Sequence, residues 1–249
     1  MTPGVHVTFE RSAPRTFDLV VGADGIHSNV RRLAFGPEAN YVRHLGYYYA
    51  LVDGDVSGEP EMYNEPGRMA ATGGGKAPAF FVFASEPLGY DRDDLDQQKK
   101  LLAEAYRGGG WRIPELIAQL PDAKEFYLDA ISRVTVDRYA SGRVALLGDS
   151  AYGNTLGGFG TGLAIVGAYV LAGELRRAGG DYRAAYAQYE AKFRGYAKVS
   201  QQISAGRLLA PRTRFGMRVR NAVFSVSWLF RPLMKLTDRF ATDIELADY

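Results

Sequence analysis

Asp149 is the residue whose type and position in this sequence best fit chemistry. It ends an apolar run, VALLGD, that is typical of a buried strand, and the loop after it carries glycine at 157, 158, 160 and 162. Strands of a parallel sheet deliver their C-terminal ends to the crevice where α/β proteins bind ligands. A carboxylate there accepts hydrogen bonds from ligand hydroxyls, and the glycines let a flat or charged ligand approach the backbone closely. The pattern predicts a ligand site centred on Asp149.

The segment after this loop predicts a helix, LAIVGAYVLAGELRRA, that ends at Gly179-Gly180. Its first turn would point unpaired N–H groups and the positive end of the helix dipole at the loop. A ligand that gains negative charge there is stabilised by about 0.3–1 kcal/mol, and by more when it is partly buried. A planar, hydroxyl-rich ligand that can become anionic fits a flavin with its ribityl chain. Helix capping or strand-end solvation is the alternative role for Asp149.

The elements upstream of this site begin with a predicted hairpin. VHVTF at 5–9 alternates apolar and polar residues, ERSAPR supplies a turn, and FDLVVGADG follows as a compact apolar strand. We expect a hairpin that leads into a buried strand. Ser28 is the predicted cap of a short helix, NVRRLAF, which stops at Gly36-Pro37.

The middle of the chain, from about 41 to 90, is rich in aromatic and β-branched residues and predicts an antiparallel sheet. DRDDLDQQKKLLAEAYRGG and IPELIAQL predict two helices, and strands lead from EFYLDAISRV back to the opening motif. Asp181 is the predicted N-cap of a later helix. Spacings of three and four predict one buried face on that helix, made of Tyr182, Ala185, Tyr189, Phe193 and Tyr196.

Composition narrows the class of protein. The 249 residues suggest one or two domains, and 47% hydrophobic with 23% charged residues exclude extensive disorder. The net charge of +2 gives no support for nucleic acid as a partner, and the absence of cysteine excludes disulfides and thiolate metal sites. Residues 1–17 contain no apolar h-region, so we do not expect a secretory signal there, and no apolar run approaches the ~20 residues that span a bilayer. We expect a soluble cytoplasmic protein without integral membrane insertion.

Two stretches resemble the fingerprints of the single-component, FAD-dependent flavoprotein monooxygenases, the para-hydroxybenzoate hydroxylase-like family. GRVALLGDSAYGNTLGGFGTGLAIVGAYVLAGEL is similar to that family's Gly-Asp motif, which binds the ribityl chain. FDLVVGADGIHSNVRRLAFG resembles its Asp-Gly motif, which comes earlier in the chain as expected. The resemblance covers residues 5–36 and 125–195, and is weaker between them.

The resemblance implies roles for individual residues. Asp149, preceded by Gly148, would hold the ribityl hydroxyls. Backbone N–H groups would face the N1–C2 carbonyl edge of the flavin at the glycine-rich turn, namely at Gly158, Gly160, Thr161 and Gly162. Asp24 and Gly25 would lie near the FAD pyrophosphate and the path of NAD(P)H, supported by Arg31 or Arg32, of which Arg32 is the predicted contact. The sequence does not identify a catalytic acid or base, and we predict no metal ligand.

The implied function is FAD-dependent, NAD(P)H-using monooxygenation of a small, aromatic or polycyclic molecule. Family members reduce the flavin with NAD(P)H, form a C4a-hydroperoxide with O₂, and hydroxylate or epoxidise the substrate. The chain lacks the family's N-terminal Gly-x-Gly-x-x-Gly unit, which seats the ADP half of FAD. An inactive fragment, or a half-enzyme that needs a partner chain for this unit, is therefore the alternative. A flavin-dependent reductase or halogenase is a third. Tyr152 also replaces the usual histidine, and the motif loop is slightly shortened and lacks its usual proline.

Other patterns have simpler interpretations. TGGGK at 72–76 lacks the earlier glycine and the following Ser or Thr of a phosphate-binding loop, so it fits a glycine hairpin better. The acids at 91, 93, 94 and 96 fit the first turn of a helix better than a metal site, and the three histidines show no ligand spacing. Alternation allows only about half of the sheet aromatics to line a pocket; these are Tyr47, Tyr48, Tyr49, Phe80, Phe81 and Phe83. The basic, aromatic tail could lie on a membrane, but docking on the body of the protein or in a homodimer is favoured.

The predicted fold is mixed α/β. A partial, Rossmann-like FAD-binding domain (1–40 and 140–180) is interrupted by an antiparallel substrate-binding sheet (41–139). A helical C-terminal region (181–249) follows.

Overall fold

The computed structural model describes residues 4–54, 59–73, 79–157, 160–201, 204–225 and 246–249. The chain divides into two compact units. Unit 1 comprises Met1–Arg43, Ser132–Ile203 and Lys235–Tyr249, and unit 2 comprises His44–Ile131 and Ser204–Met234. The predicted mixed α/β architecture is confirmed. The domain boundaries proposed from the sequence remain a prediction.

Strands and helices are numbered in chain order. The strands are β1 (Val5–Val7), β2 (Arg15–Phe17), β3 (Val20–Gly22), β4 (Val42–Val52), β5 (Glu61–Glu65), β6 (Arg68–Thr72), β7 (Ala79–Ala84), β8 (Phe126–Val134), β9 (Ala140–Ser141) and β10 (Val144–Leu146). The helices are α1 (Asn29–Ala34), α2 (Leu95–Ala105), α3 (Ile113–Ala118), α4 (Asp149–Tyr152), α5 (Gly160–Arg177), α6 (Tyr182–Ser200), α7 (Ala205–Leu209) and α8 (Arg214–Ser225).

The sheet of unit 1 brings the two sequence motifs side by side. β3, from the Asp-Gly motif, pairs in parallel with β10, from the Gly-Asp motif, so that Val20 lies opposite Val144. β10 pairs on its other side with β9. Because parallel strands end at the same sheet edge, the residues after Gly22 and Leu146 must lie close together. The predicted hairpin is present as antiparallel β1 and β2.

One expectation for this sheet is wrong: β3 is not fully buried, and Val21 is 42% exposed. Among the described residues β3 pairs only with β10, so its second edge has no strand beside it. An apolar side chain needs cover from a second layer to be buried, and here that cover is incomplete.

Helices α5 and α6 contribute much of the core of unit 1. The predicted buried face of α6 is confirmed for Ala185, Tyr189 and Phe193, all with no exposed area, whereas Tyr182 and Tyr196 are partly buried. Full burial of a large apolar side chain contributes about 1.5–3 kcal/mol. The predicted cap is also present, since Asp181 Oδ1 accepts a 3.0 Å hydrogen bond from the Arg183 amide.

Unit 2 is built on a five-stranded sheet with the order β5-β6-β7-β4-β8. β4 and β7 are antiparallel, with Tyr48 opposite Phe83. The predicted alternation of aromatics is confirmed. Tyr48, Phe81 and Phe83 belong to the core that contains residues of α2 and α3, while Tyr47, Tyr49 and Phe80 belong to the opposite face.

Two other sequence interpretations are resolved in unit 2. Asp94 caps α2 by accepting a 2.9 Å hydrogen bond from the Gln97 amide, and Asp91 accepts one from the Asp93 amide. The acidic cluster thus serves the start of a helix, as favoured. Arg220 of α8 donates to Asn64 Oδ1 and to the carbonyls of Leu208 and Leu209, so α8 docks on its own unit. The rest of the predicted basic tail (211–240), namely 226–240, and positions 74–76 of TGGGK lie outside the described residues.

Within the described ranges, no helix combines the length and the apolar character needed to cross a membrane.

Candidate functional site

The site is centred on Asp149, at the junction of β10 and α4. Gly148 turns the chain with φ 67° and ψ −141°, a conformation that side-chain-bearing residues rarely adopt. Space is limited as well, because a β-carbon on Gly148 would lie 3.3 Å from Cβ of Ala164. A β-carbon on Gly160 would lie 3.7 Å from Asp149 Oδ1. The carboxylate therefore sits beside the first residue of α5, as the sequence predicted.

The Asp149 carboxylate is available to a ligand. Its residue is exposed, and no donor among the described residues makes a hydrogen bond to it. Neighbouring protein atoms still displace part of its hydration, and this desolvation raises the pKa of Asp149 above its ordinary value. Hydroxyl donors from a ligand would replace the missing hydration and favour the charged form.

The first turn of α5 leaves its backbone accessible. Thr161 and Gly162 are exposed, and a β-carbon added at Gly162 would meet nothing within 4 Å. A helix start of this kind presents amide groups that lack partners within the helix. Gly158, predicted to be part of the same turn, lies outside the described residues.

The Asp-Gly motif forms the neighbouring loop. Asp24 accepts hydrogen bonds from the Ser28 hydroxyl (2.5 Å) and from the Val30 amide (2.9 Å), so its carboxylate orders the start of α1. Ser28 caps this helix through the Arg31 amide, as predicted. Gly25 has φ 80° and open space where a β-carbon would be. Arg32 is exposed and donates to the Asn29 side chain.

Arg31 is the arginine that joins the two motifs. It has no exposed area, and its guanidinium donates to the carbonyls of Ser150 (2.9 Å) and Ile26 (2.5 Å). Burial lowers the pKa of Arg31, although the nearby carboxylates of Glu38 and Asp24 oppose this. Sequence spacing did not distinguish Arg31 from Arg32, because both lie on the same six-residue helix.

Ser150 forms a second link that the sequence did not suggest. Its hydroxyl donates to the carbonyl of Gly22, at the end of β3, at 2.5 Å, and it also contacts Leu147. Ser150 has no exposed area, like Arg31. The sequence signal for this link is slight: Ser150 is a short polar residue that directly follows Asp149, the predicted ligand-binding residue. The two links fix the loop that carries Asp149 to the loop that carries Asp24.

Tyr152, which replaces the usual histidine, faces the core. Its ring lies 4.9 Å from that of Phe193 and 5.6 Å from that of Tyr139, measured between centroids. Tyr152 is 3% exposed and packs the motif against the core. In the part of the chain that the structure describes, no group of histidine and acidic side chains is arranged to hold a metal ion.

Comparison with known proteins gives relatives along most of the chain. No protein-family model matches it. An uncharacterised protein of Mycobacterium tuberculosis is 40% identical over 206 residues, which are 79% of this chain and 55% of that protein. A flavin-dependent monooxygenase of Legionella longbeachae is 35% identical over 207 residues, which are 80% of this chain and 53% of that protein. The chain thus spans about half the length of these curated relatives.

Solved structures share the fold. Tetracycline destructase Tet(51) superimposes with a TM-score of 0.79 at 25% identity, over 100% of this chain and 68% of that chain. Klebsiella pneumoniae HpxO, solved with FAD and uric acid, gives a TM-score of 0.64 at 25% identity, over 88% of this chain and 58% of that chain.

Proposed function

Because the chain belongs to the para-hydroxybenzoate hydroxylase-like family of FAD-dependent flavoprotein monooxygenases, we propose that it forms the flavin end of an FAD site. We propose further that it takes part in NAD(P)H-dependent monooxygenation of a small aromatic or polycyclic molecule. A relative named as a flavin-dependent monooxygenase and a fold neighbour solved with FAD support this function. The observation that carries it is the Asp149 carboxylate, unbonded among the described residues and placed beside the first turn of α5.

Each part of the site has a role in this proposal. Asp149 accepts hydrogen bonds from the ribityl hydroxyls, each typically worth about 1.5–3 kcal/mol because the acceptor is charged. Gly160, Thr161 and Gly162 present backbone amides that stabilise negative charge on the isoalloxazine ring. When bound, FAD supplies the redox chemistry, accepting hydride from NAD(P)H and activating O₂. The protein contributes binding, orientation and electrostatics.

The Asp-Gly loop has a supporting role in the same proposal. Gly25 has open space and lets the pyrophosphate approach the backbone, while Asp24 orders that backbone by accepting hydrogen bonds from the Ser28 hydroxyl and the Val30 amide. Arg32 is exposed and free to reach a phosphate or NAD(P)H once its contact with Asn29 is released. Arg31 keeps this loop joined to the loop of Asp149.

An aromatic group on the sheet of unit 2 fits the proposed substrate class. Tyr49 lies 6.5 Å from Phe80 and 5.6 Å from Tyr127 between ring centroids, and Tyr127 is 47% exposed. Partly exposed rings favour stacking with flat, apolar molecules. The name of the Tet(51) neighbour, a tetracycline destructase, agrees with a polycyclic substrate.

Titration of the purified chain with FAD, followed by quenching of flavin fluorescence, tests the proposal. We expect saturable binding that is weakened by Asp149→Ala. Binding weaker than millimolar would show that this chain alone is not a working flavoenzyme. NAD(P)H oxidation that yields oxygenated product would support monooxygenation, whereas turnover without product would indicate a reductase and halide dependence a halogenase.

A second candidate, a half-enzyme completed by a partner chain, is favoured by the edge of β3 that has no strand beside it among the described residues. Val21 is 42% exposed there, and Ile165 on α5 is 66% exposed. Unpaired strand edges readily accept another strand. Co-expression with the part of the Legionella longbeachae relative that this chain does not cover tests this option. A co-purifying complex with raised FAD affinity would support it, and two non-interacting proteins would contradict it.

A further inference from the structure

A socket on helices α5 and α6 holds the side chain of Tyr249. The ring lies 5.4 Å from the Tyr169 ring, in an edge-on arrangement, measured between centroids. Two cations lie over it, with Arg177 Cζ at 5.0 Å and Lys192 Nζ at 5.3 Å from its centroid. Each such cation–π contact contributes about 0.5–1 kcal/mol at an exposed site. The ring is therefore held by specific contacts on several sides.

The Tyr249 hydroxyl has its own partner in the socket. It donates a 2.8 Å hydrogen bond to Glu174 Oε1, which also accepts from Lys192 Nζ. Glu174 is only 3% exposed. Burial acts to raise the pKa of Glu174, but the hydrogen bonds from Lys192 and Tyr249, together with the positive charges of Lys192 and Arg177, hold the pKa below its ordinary value. A buried carboxylate at the base of the socket recognises a hydroxyl on the ring, which phenylalanine lacks.

A glycine in the middle of α5 makes room for the ring. A β-carbon on Gly173 would lie 2.2 Å from ring atoms of Tyr249, and its three nearest neighbours would all belong to that ring. Glycine inside a helix costs about 1 kcal/mol relative to alanine. Gly173 lies where the ring approaches α5, so docking of the ring explains why a glycine stands at this helix position.

The main chain of the tail is held as well. The Tyr169 hydroxyl donates to the carbonyl of Ala247 at 3.0 Å, and Arg176 Nη1 donates to the carbonyl of Tyr249 at 3.3 Å. These contacts fix the direction of the tail along α5. Tyr169 therefore contacts both the ring and the backbone of the same segment.

We propose that Tyr169, Gly173, Glu174 and Lys192 form a phenol-selective peptide-docking site on α5, and that its occupant is the chain's own segment Leu246–Tyr249. The site recognises the ring through the Gly173 notch and the two cations, and the hydroxyl through Glu174. It is separate from the residues around Asp149 and does not depend on flavin binding. The docked segment packs along α5 and contacts several of its side chains, so the occupied site stabilises this helix.

Alanine substitutions of two helix glycines provide the central test. Gly195 lies inside α6, is exposed, and has nothing within 4 Å of an added β-carbon. Gly195→Ala should raise the Tm of the full chain by about 2–4 °C through helix propensity. Gly173→Ala should instead lower the Tm, because its methyl group expels the ring. In a Tyr249→Ala background, Gly173→Ala should raise the Tm like Gly195→Ala. Equal rises for both alanines with Tyr249 present would overturn the proposal.

Selectivity for the phenol is tested at Tyr249 itself. Tyr249→Phe should lower the Tm by about 2–4 °C through loss of the bond to Glu174, and Tyr249→Ala should lower it further. A peptide Leu-Ala-Asp-Tyr should restore part of the loss in the Tyr249→Ala chain, and Leu-Ala-Asp-Phe should restore less. Equal rescue by both peptides would contradict the role of Glu174.

Two direct measurements complete the test. A nuclear Overhauser contact between the Tyr249 ring and the Gly173 α-protons is expected in the full chain, and its absence would refute docking even if Tm values are insensitive. Sedimentation should show the same oligomeric state for the natural chain and for Tyr249→Ala. A dimer that dissociates on this substitution would assign the occupant to a second copy and overturn the assignment to the chain's own tail.

Discussion

Arg31 Nη1 donates a 2.9 Å hydrogen bond to the carbonyl of Ser150, a residue 119 positions later in the chain. Ser150 immediately follows Asp149, and the same guanidinium also binds the carbonyl of Ile26 in the Asp-Gly motif. One buried cation therefore sets the spacing between the loops of the two fingerprints. The loop that carries Asp149 is positioned in part by this link.

Removing Arg31 should destabilise the protein strongly. Arg31→Met leaves the buried carbonyl of Ser150 and the partly buried carbonyl of Ile26 without this donor, which should lower the free energy of unfolding by about 2–4 kcal/mol. Arg32→Met is the matched control, since this exposed neighbour should change it by no more than about 0.5 kcal/mol. Urea unfolding monitored by circular dichroism measures both. Similar losses for the two variants would contradict a structural role for the Arg31 link.

Asp149 should determine flavin affinity. Asp149→Ala should weaken FAD binding by about 10–100-fold, because hydrogen bonds to a charged group contribute about 1.5–3 kcal/mol and each 1.4 kcal/mol is tenfold in Kd. Glu125→Gln, an exposed acid of unit 2, removes one negative charge elsewhere and should leave the Kd unchanged. The Kd for FAD of each variant is measured by titration, following the quenching of flavin fluorescence. An unchanged Kd for Asp149→Ala would refute its proposed role.

Asp149 should also make the flavin-free protein less stable at neutral pH. Desolvation raises its pKa in the folded state, so the folded state binds this proton more tightly than the unfolded chain does. Stability should therefore fall as pH rises from the ordinary value of about 3.9 through the raised pKa, and then level off. Asp149→Asn removes this effect, so the variant should have the higher Tm at pH 7 and lose that advantage near pH 3. A lower Tm at pH 7 would contradict this sign.

In unit 2, the Tyr106 hydroxyl should be important for stability. Its single proton is shared between the carbonyls of Met69 (2.5 Å) and Val82 (2.9 Å), and the residue is buried. Tyr106→Phe leaves both acceptors without this donor and should lower the free energy of unfolding by about 1–3 kcal/mol. Tyr127→Phe is the comparison, because Tyr127 is 47% exposed and water can replace its bond to Asp129. We expect a change below about 1 kcal/mol for it. Equal effects would contradict the argument from burial.

Local sequence patterns predicted many of the strands and helices and the caps of some of them. Alternation divided the sheet aromatics of unit 2 between two faces, and spacings of three and four predicted the buried face of α6. Predicted caps marked the starts of α1 and α6, and acidic first-turn residues marked α2. Asp149 at the end of an apolar strand, followed by glycines and a helix, was enough to predict a ligand site. These signals are local, since each depends on residues within one or two turns or strands.

Tertiary structure alone decided which residues connect distant segments. Adjacent arginines at 31 and 32 are equivalent in sequence, and only the pairing of β3 with β10 decides that Arg31 faces Ser150. The exposure of Val21 follows from what covers the sheet, which no periodicity encodes. The Tyr249 socket joins residues 75 positions apart, and Gly173 looks like an ordinary helix-weakening glycine until the ring is placed beside it. The periodicity of apolar residues predicts which face of a helix or strand is buried, but the path of the whole chain decides what that face packs against.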